Sequence, residues 1–206
     1  ILSRIIASFH NDKGELLIEG LTPTEQDVFE LSDEFVKSSL SSNGVELFEM
    51  DSYSKRLWLE PALSILAIDA PPVAESVNLL IPKAKAKVSL RLPPTEDPDH
   101  AMNMLEKHIK ENTPFNANVN FIPEAKGKGI LVDPKNEFSS KLIESFNKNW
   151  ENEVAYMGVG GSIPFANVFI NEFPNSEIVL VGAGDEEGNA HAPNESVNID
   201  DIKRLI

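Results

Sequence analysis

The sequence contains no cysteine. That excludes disulfides, thiolate metal sites and a cysteine nucleophile; any metal would be held by histidine and carboxylate, and a reducing interior suits the chain. Cations are scarce: 18 Lys and Arg stand against 33 Asp and Glu, a formal charge of -15. Neither nucleic acid nor an anionic membrane surface attracts such a chain. No apolar run reaches the roughly 18 residues a membrane-spanning helix needs, and no basic segment followed by an apolar stretch and cleavage site opens the sequence. The expectation is a soluble, cytoplasmic protein.

What is present fills 206 residues, enough for two modest cores. Ile1, Leu2, Ile5, Ile6 and Phe9 already show helical spacing, with no initiator Met and no capping residue before them. At the other end Asn198 opens a helix that has run only to Ile206. This reads as a fragment cut at both ends.

The first helix, over residues 1–10, closes at the turn Asn11-Asp12-Lys13-Gly14, and Leu16-Leu17-Ile18 is a short extended piece. Thr22-Pro23-Thr24-Glu25 starts another helix whose apolar side carries Val28, Leu31, Phe35 and Val36, and Asn43-Gly44 stops it. Tyr53, Leu57 and Trp58 form an aromatic cluster assigned to the core. Residues 63–68 read as a strand, then comes a loop at Ala70-Pro71-Pro72. The clearest period-2 pattern follows: Ala84, Ala86, Val88, Leu90 and Leu92 face one way, Lys83, Lys85, Lys87, Ser89 and Arg91 the other. After Pro93-Pro94 a helix carries Ala101, Met102, Leu105 and Ile109, and Ala117, Val119 and Phe121 alternate in a further strand. This order predicts a two-layer sandwich with an antiparallel sheet.

The stretch from Pro123 to Gly129 reads as a domain crossing, so the expected domains are 1–124 and 125–206. Phe138, Leu142, Ile143, Phe146 and Trp150 line a helix; residues 154–157 are a strand, 163–173 a helix, and 178–181 a strand apolar at every position. Continuous apolarity is the mark of a central parallel strand, and residues 125–206 read as part of a doubly wound α/β domain.

Three places offer chemistry. Gly160-Gly161-Ser162 ahead of Ile163-Pro164 is a glycine turn opening a helix: either an anion site at free N–H groups or an ordinary capped turn. His191, on the loop after the apolar strand, is either a metal ligand held by Asn194 or Glu195 or a solvated loop histidine. Arg91, on the polar face of its strand, either clasps a substrate carboxylate or belongs with Lys83, Lys85 and Lys87 to a solvated face.

Together these residues resemble the dinuclear zinc peptidase family of aminoacylase, carnosinase-type dipeptidases, carboxypeptidase G and succinyl-diaminopimelate desuccinylase. The similarity rests on Gly160-Gly161-Ser162-Ile163-Pro164, on Asn189-Ala190-His191-Ala192-Pro193-Asn194-Glu195, on Leu57-Trp58 with Pro61, and on Ile81-Pro82 followed by Lys87-Val88-Ser89-Leu90-Arg91-Leu92 and Asp97-Pro98-Asp99. It implies a ferredoxin-like lid over residues 1–124, used for dimerisation, followed by the C-terminal part of the zinc catalytic domain. It further implies that His191 binds one of two zinc ions, that Arg91 holds the terminal carboxylate of a dipeptide or N-acyl amino acid, and that Gly161 and Ser162 line the same pocket. The family's other metal ligands and its catalytic carboxylate would precede Ile1, leaving no catalytic residue in this fragment and the fragment inactive by itself.

Three departures stand out. Gly158-Val159 replace an Arg-Glu pair usual in dipeptidase-like members, Leu79 aligns with a polar Thr or Asn, and Asp69-Ala70-Pro71-Pro72 replaces a glycine-rich loop. They fit an altered substrate, or the alternative of a catalytically silent homologue serving as a binding or dimerisation module.

Overall fold

The structure, a computed structural model, describes residues 1–38, 50–132, 135–150, 153–158, 164–173, 176–185, 188–190 and 192–205. The chain divides into two compact units, one made of Ile1–Ile130 with Tyr156–Pro164 and the other of Leu131–Ala155 with Phe165–Ile206.

The first unit is built on an antiparallel hairpin of β1 (Ala62–Asp69) and β2 (Lys85–Arg91). Leu63 lies opposite Leu90 and Ile65 opposite Val88, so one face of the ladder is aliphatic. A bulge at Leu66 then shifts the register, placing Ala67 opposite Lys87 and Asp69 opposite Lys85.

Among the described residues three short helices precede the hairpin: α1 (Leu2–Ala7), α2 (Asp33–Ser38) and α3 (Tyr53–Trp58). After it comes α4 (Pro98–Glu111). The start of α4 is set by Asp97, whose carboxylate accepts from the N–H groups of Asp99 and His100 at 3.0 and 2.8 Å, with Pro98 in the first turn where no N–H is needed. Its buried residues Ala101, Leu105, His108 and Ile109 recur at helical spacing on one side. Leu105 and Ile109 meet Leu63, Ile5, Phe9 and Ile18 in the core of this unit. Each such aliphatic side chain contributes about 1.5–3 kcal/mol by leaving water.

The expected antiparallel sheet with helices is therefore present, and the α/β class stands. Several elements differ in detail. The first helix ends at Ala7; His10 instead bridges Leu16 across the turn at Gly14, whose φ of 72° suits glycine. Residues 21–32 form no helix, because their backbone groups are spent elsewhere. The N–H of Thr24 donates to Leu59 O at 2.8 Å, that of Phe29 to Tyr156 O at 3.0 Å, and that of Leu31 to the buried hydroxyl of Ser54 at 2.8 Å. Only α2 remains of the helix read there, and its expected stop at Asn43-Gly44 lies outside the described residues. Leu57, assigned to the core, is 55% exposed; its neighbour Leu59 is buried instead. Residues 117–121 stay outside the sheet, although Phe121 does pack on the core.

The second unit holds α5 (Glu137–Asn149), α6 (Pro164–Glu172) and α7 (Ile199–Leu205). Asn136 caps α5 by accepting from Ser139 N–H at 2.8 Å. Phe146 meets Trp150 edge-on, with ring centroids 5.4 Å apart. Ala166 of α6 is buried. The strands expected at 154–157 and 178–181 are not formed. Leu180 and Val181 are 58% and 59% exposed: among the described residues no strand pairs with either side of this segment, so continuous apolarity does not translate into burial. Among the described residues no helix is long and apolar enough to cross a membrane.

His10 gives the fold a pH dependence. Its pKa lies below the ordinary 6.5, first because burial disfavours the imidazolium and second because Arg56 is close. The unfolded chain therefore binds a proton at His10 more readily than the folded one, and stability falls as pH drops through 6.5 toward the lowered value. Denaturation midpoints measured from about pH 8 down to about pH 5 should fall, and His10→Gln should flatten that part of the profile.

Candidate functional site

Arg91 closes β2, opposite Ala62, and Pro93 just beyond it is fully buried. The period of the strand sends Val88 and Leu90 into the core and leaves Lys85, Lys87 and Arg91 on the other face. The first two cations of that face have partners: Lys85 Nζ lies 3.8 Å from Asp69 and Lys87 Nζ 2.5 Å from Glu124. Arg91 differs. It is exposed, and among the described residues no carboxylate or hydrogen-bond acceptor holds its guanidinium. An uncommitted guanidinium on a rigid strand end is suited to a two-pronged grip on a carboxylate.

The segment after Arg91 is pinned by a polar network that composition and periodicity did not reveal. The buried carboxylate of Glu96 accepts from Thr22 N–H at 3.3 Å and lies 2.7 Å from His100 Nδ1. The hydroxyls of Thr24 and Thr95 are 2.7 Å apart. The spacing of Glu96 and His100, one helical turn, was the available signal.

Gly161, Ser162 and His191 lie outside the described residues, so Arg91 is the one predicted site residue whose surroundings are described. Next to the glycine loop, however, Gly158 has an informative neighbour. A Cβ built on it would stand 2.4 Å from both Cβ and Cγ of Trp58. The glycine is required by close packing on the indole, and the long side chain usual in dipeptidase-like members has no room there.

The histidines that are described serve the fold. His108 is buried, stacks on Phe9 at 5.4 Å, and places Nε2 3.1 Å from both the hydroxyl and the carbonyl of Ser8. His100 is engaged by Glu96. Among the described residues no group of three or more His, Asp or Glu could hold a metal ion, so the donor set seen here does not fit a zinc centre.

Residues 1–117, more than half of the chain, match the family model of the M20 peptidase dimerisation domain. The chain belongs to that family. The cysteinylglycine-S-conjugate dipeptidase of Corynebacterium striatum is 27% identical over 99% of this M20 chain, which covers 46% of that protein. Among solved structures, an M20 family metallo-carboxypeptidase from Sulfolobus solfataricus superposes with a TM-score of 0.75 at 22% identity, over 98% of this chain and 48% of the other. The dipeptidase Dug1p of Saccharomyces cerevisiae gives 0.76 at 22% identity, over 98% and 45%. Human carnosine dipeptidase 1 gives 0.72 at 19% identity, over 99% and 46%. These likenesses establish the fold along the whole chain, which spans about half the length of the relatives it matches.

The packing of Gly158 is open to a direct check. Gly158→Ala should lower the unfolding free energy by about 1–3 kcal/mol through overpacking against Trp58. Gly182→Ala, where an added Cβ meets nothing within 4 Å, should leave the denaturation midpoint in place.

Proposed function

We propose that this chain is the lid and the C-terminal catalytic part of a dinuclear zinc peptidase that hydrolyses the amide bond of dipeptides or N-acyl amino acids. Residues 1–124 are the lid and 125–206 the catalytic part. Membership of the M20 dimerisation-domain family supports the reading, as does the likeness to a protein named as a dipeptidase. The observation that carries it is Arg91, an exposed cation without a partner among the described residues, on a strand whose other cations are paired.

In this reading Arg91 grips the substrate's free carboxylate, Gly161 and Ser162 line the pocket beside it, and His191 supplies one zinc ligand. In this reading the remaining ligands and the catalytic base come from outside the described residues, which hold no group of three or more His, Asp or Glu able to take a metal ion. The partners are a dipeptide or N-acyl amino acid and a second copy bound through the lid. A chain without cysteine suits the cytoplasm, where we place it.

A second reading, a silent homologue used as a binding or dimerisation module, draws support from Gly158. Its contact with Trp58 leaves no room for the arginine that the resemblance leads one to expect there.

Arg91→Met in the intact enzyme separates the two. The catalytic reading expects kcat/KM to fall roughly 10- to 100-fold for substrates with a free carboxylate and to change little for their amides. Equal losses on both would remove the assigned role. The purified 206-residue chain should bind no stoichiometric zinc by metal analysis and should not hydrolyse dipeptides.

A further inference from the structure

The guanidinium of Arg91 has no partner among the described residues, yet the backbone that carries it is fastened on both sides. One short segment, residues 22–24, makes both attachments. On the exit side of β2, the N–H of Thr22 donates to Glu96 Oε2 at 3.3 Å. The Thr24 hydroxyl lies 2.7 Å from that of Thr95 and accepts from Thr95 N–H at 3.3 Å. On the entry side of β1, the N–H of Thr24 donates to Leu59 O at 2.8 Å. Leu59 stands three residues before Ala62, and Ala62 is the residue opposite Arg91. The start of β1 and the end of β2 are thus joined through a third piece of chain as well as through their own ladder.

This clasp is buried where Arg91 is not. Thr24, Leu59 and Glu96 are 4, 5 and 6% exposed, and Pro93 is fully buried. Pro94 is held from another side: a Cβ on Gly129 would stand 2.6 Å from Pro94 Cα, so the backbone there packs directly on the loop. Pro93 and Pro94 also fix their own φ angles. Little freedom is left between Arg91 and the start of α4.

Helix capping does not account for Glu96. Asp97 already takes the N–H groups of Asp99 and His100, and Glu96 turns instead to Thr22 and to His100 Nδ1, 2.7 Å from its Oε1. A carboxylate loses its hydration on burial, and an apolar side chain would fill the same space without that penalty. What the carboxylate adds is direction: its hydrogen bonds set the loop in one position, where apolar packing alone tolerates sliding.

We infer that Glu96 and Thr24 are positioning residues for Arg91, holding the end of β2 so that the guanidinium meets a substrate carboxylate in one orientation. The inference rests on the reading of Arg91 as the grip on that carboxylate. A two-pronged pair of hydrogen bonds is directional, and misplacing such a group by about 1 Å costs on the order of 100-fold in rate. The arginine side chain is long and flexible, so its backbone anchor is the part that the fold can fix.

The test uses the intact enzyme and reads the ratio of kcat/KM for a substrate with a free carboxylate to that for its amide. Loss of folded enzyme lowers both values alike and leaves the ratio in place. Glu96→Ala should lower the ratio roughly 10-fold, and Glu96→Gln, which keeps an acceptor for Thr22 N–H, should hold it within about 2-fold of the unaltered enzyme. In an Arg91→Met background Glu96→Ala should move the ratio no further, because the group through which it acts is gone. Thr24→Val removes the hydroxyl shared with Thr95; it should lower the ratio in the same sense, and it supplies the reading should Glu96→Ala not fold. An unmoved ratio, or a further fall in the Arg91→Met background, overturns the positioning role; if Arg91→Met alone still shows its carboxylate-selective loss, the reading of Arg91 survives. Equal losses on both substrates in Arg91→Met remove that reading and the positioning role with it.

Discussion

The packing of α4 against the aliphatic face of the hairpin is the constraint on which the first unit depends. Leu105 and Ile109 meet Leu63 and the facing side chains of β2, and α1 joins through Ile5 and Phe9. Both sides of this seam are fixed in rotation by their own periods, 3.6 for the helix and 2 for the strand. Once Val88 and Leu90 turn inward, Lys87 and Arg91 have no choice but to face the other way. The orientation of the one described candidate residue is a by-product of hydrophobic burial.

The seam is helped by polar contacts at its ends. Asp97 stops α4 from fraying at its start, and Glu96, just before it, ties the β2–α4 connection to the segment at Thr22. His108 satisfies its Nε2 on Ser8 while stacking on Phe9, so a polar residue enters the interior without an unmet donor there. The contacts of Glu96 with Thr22 and of His108 with Ser8 join sequence positions 74 and 100 residues apart. They give the first unit a closed set of mutual restraints and leave Arg91 outside it.

The period-2 pattern of residues 84–92 and the capped pattern after Asp97 were legible because each depends on neighbours in sequence. The helix read at residues 22–36 was not, because the competing partners, Leu59, Ser54 and Tyr156, lie far along the chain. The apolar run at 178–181 misled for a related reason: four aliphatic residues imply burial only if something stands on both sides. For the site, the strand pattern placed Arg91 on the polar face, but that no carboxylate among the described residues holds it is a fact of three dimensions. So is the indole against Gly158, since nothing in the local sequence ties residue 158 to residue 58.

The bulge at Leu66 divides the hairpin into two stretches of opposite parity. Below it Ser64 faces Ser89 and Ala62 faces Arg91; above it Asp69 faces Lys85 and forms an ion pair. A straight ladder would instead set Ile68 against Lys85 and Asp69 against Ala84. One extra residue thus lets the base of the hairpin keep its inward leucines while the top presents its own inside-out pattern. The two ends can accept substitutions on separate schedules, since a change of register above Leu66 leaves the frame that holds Arg91 where it is.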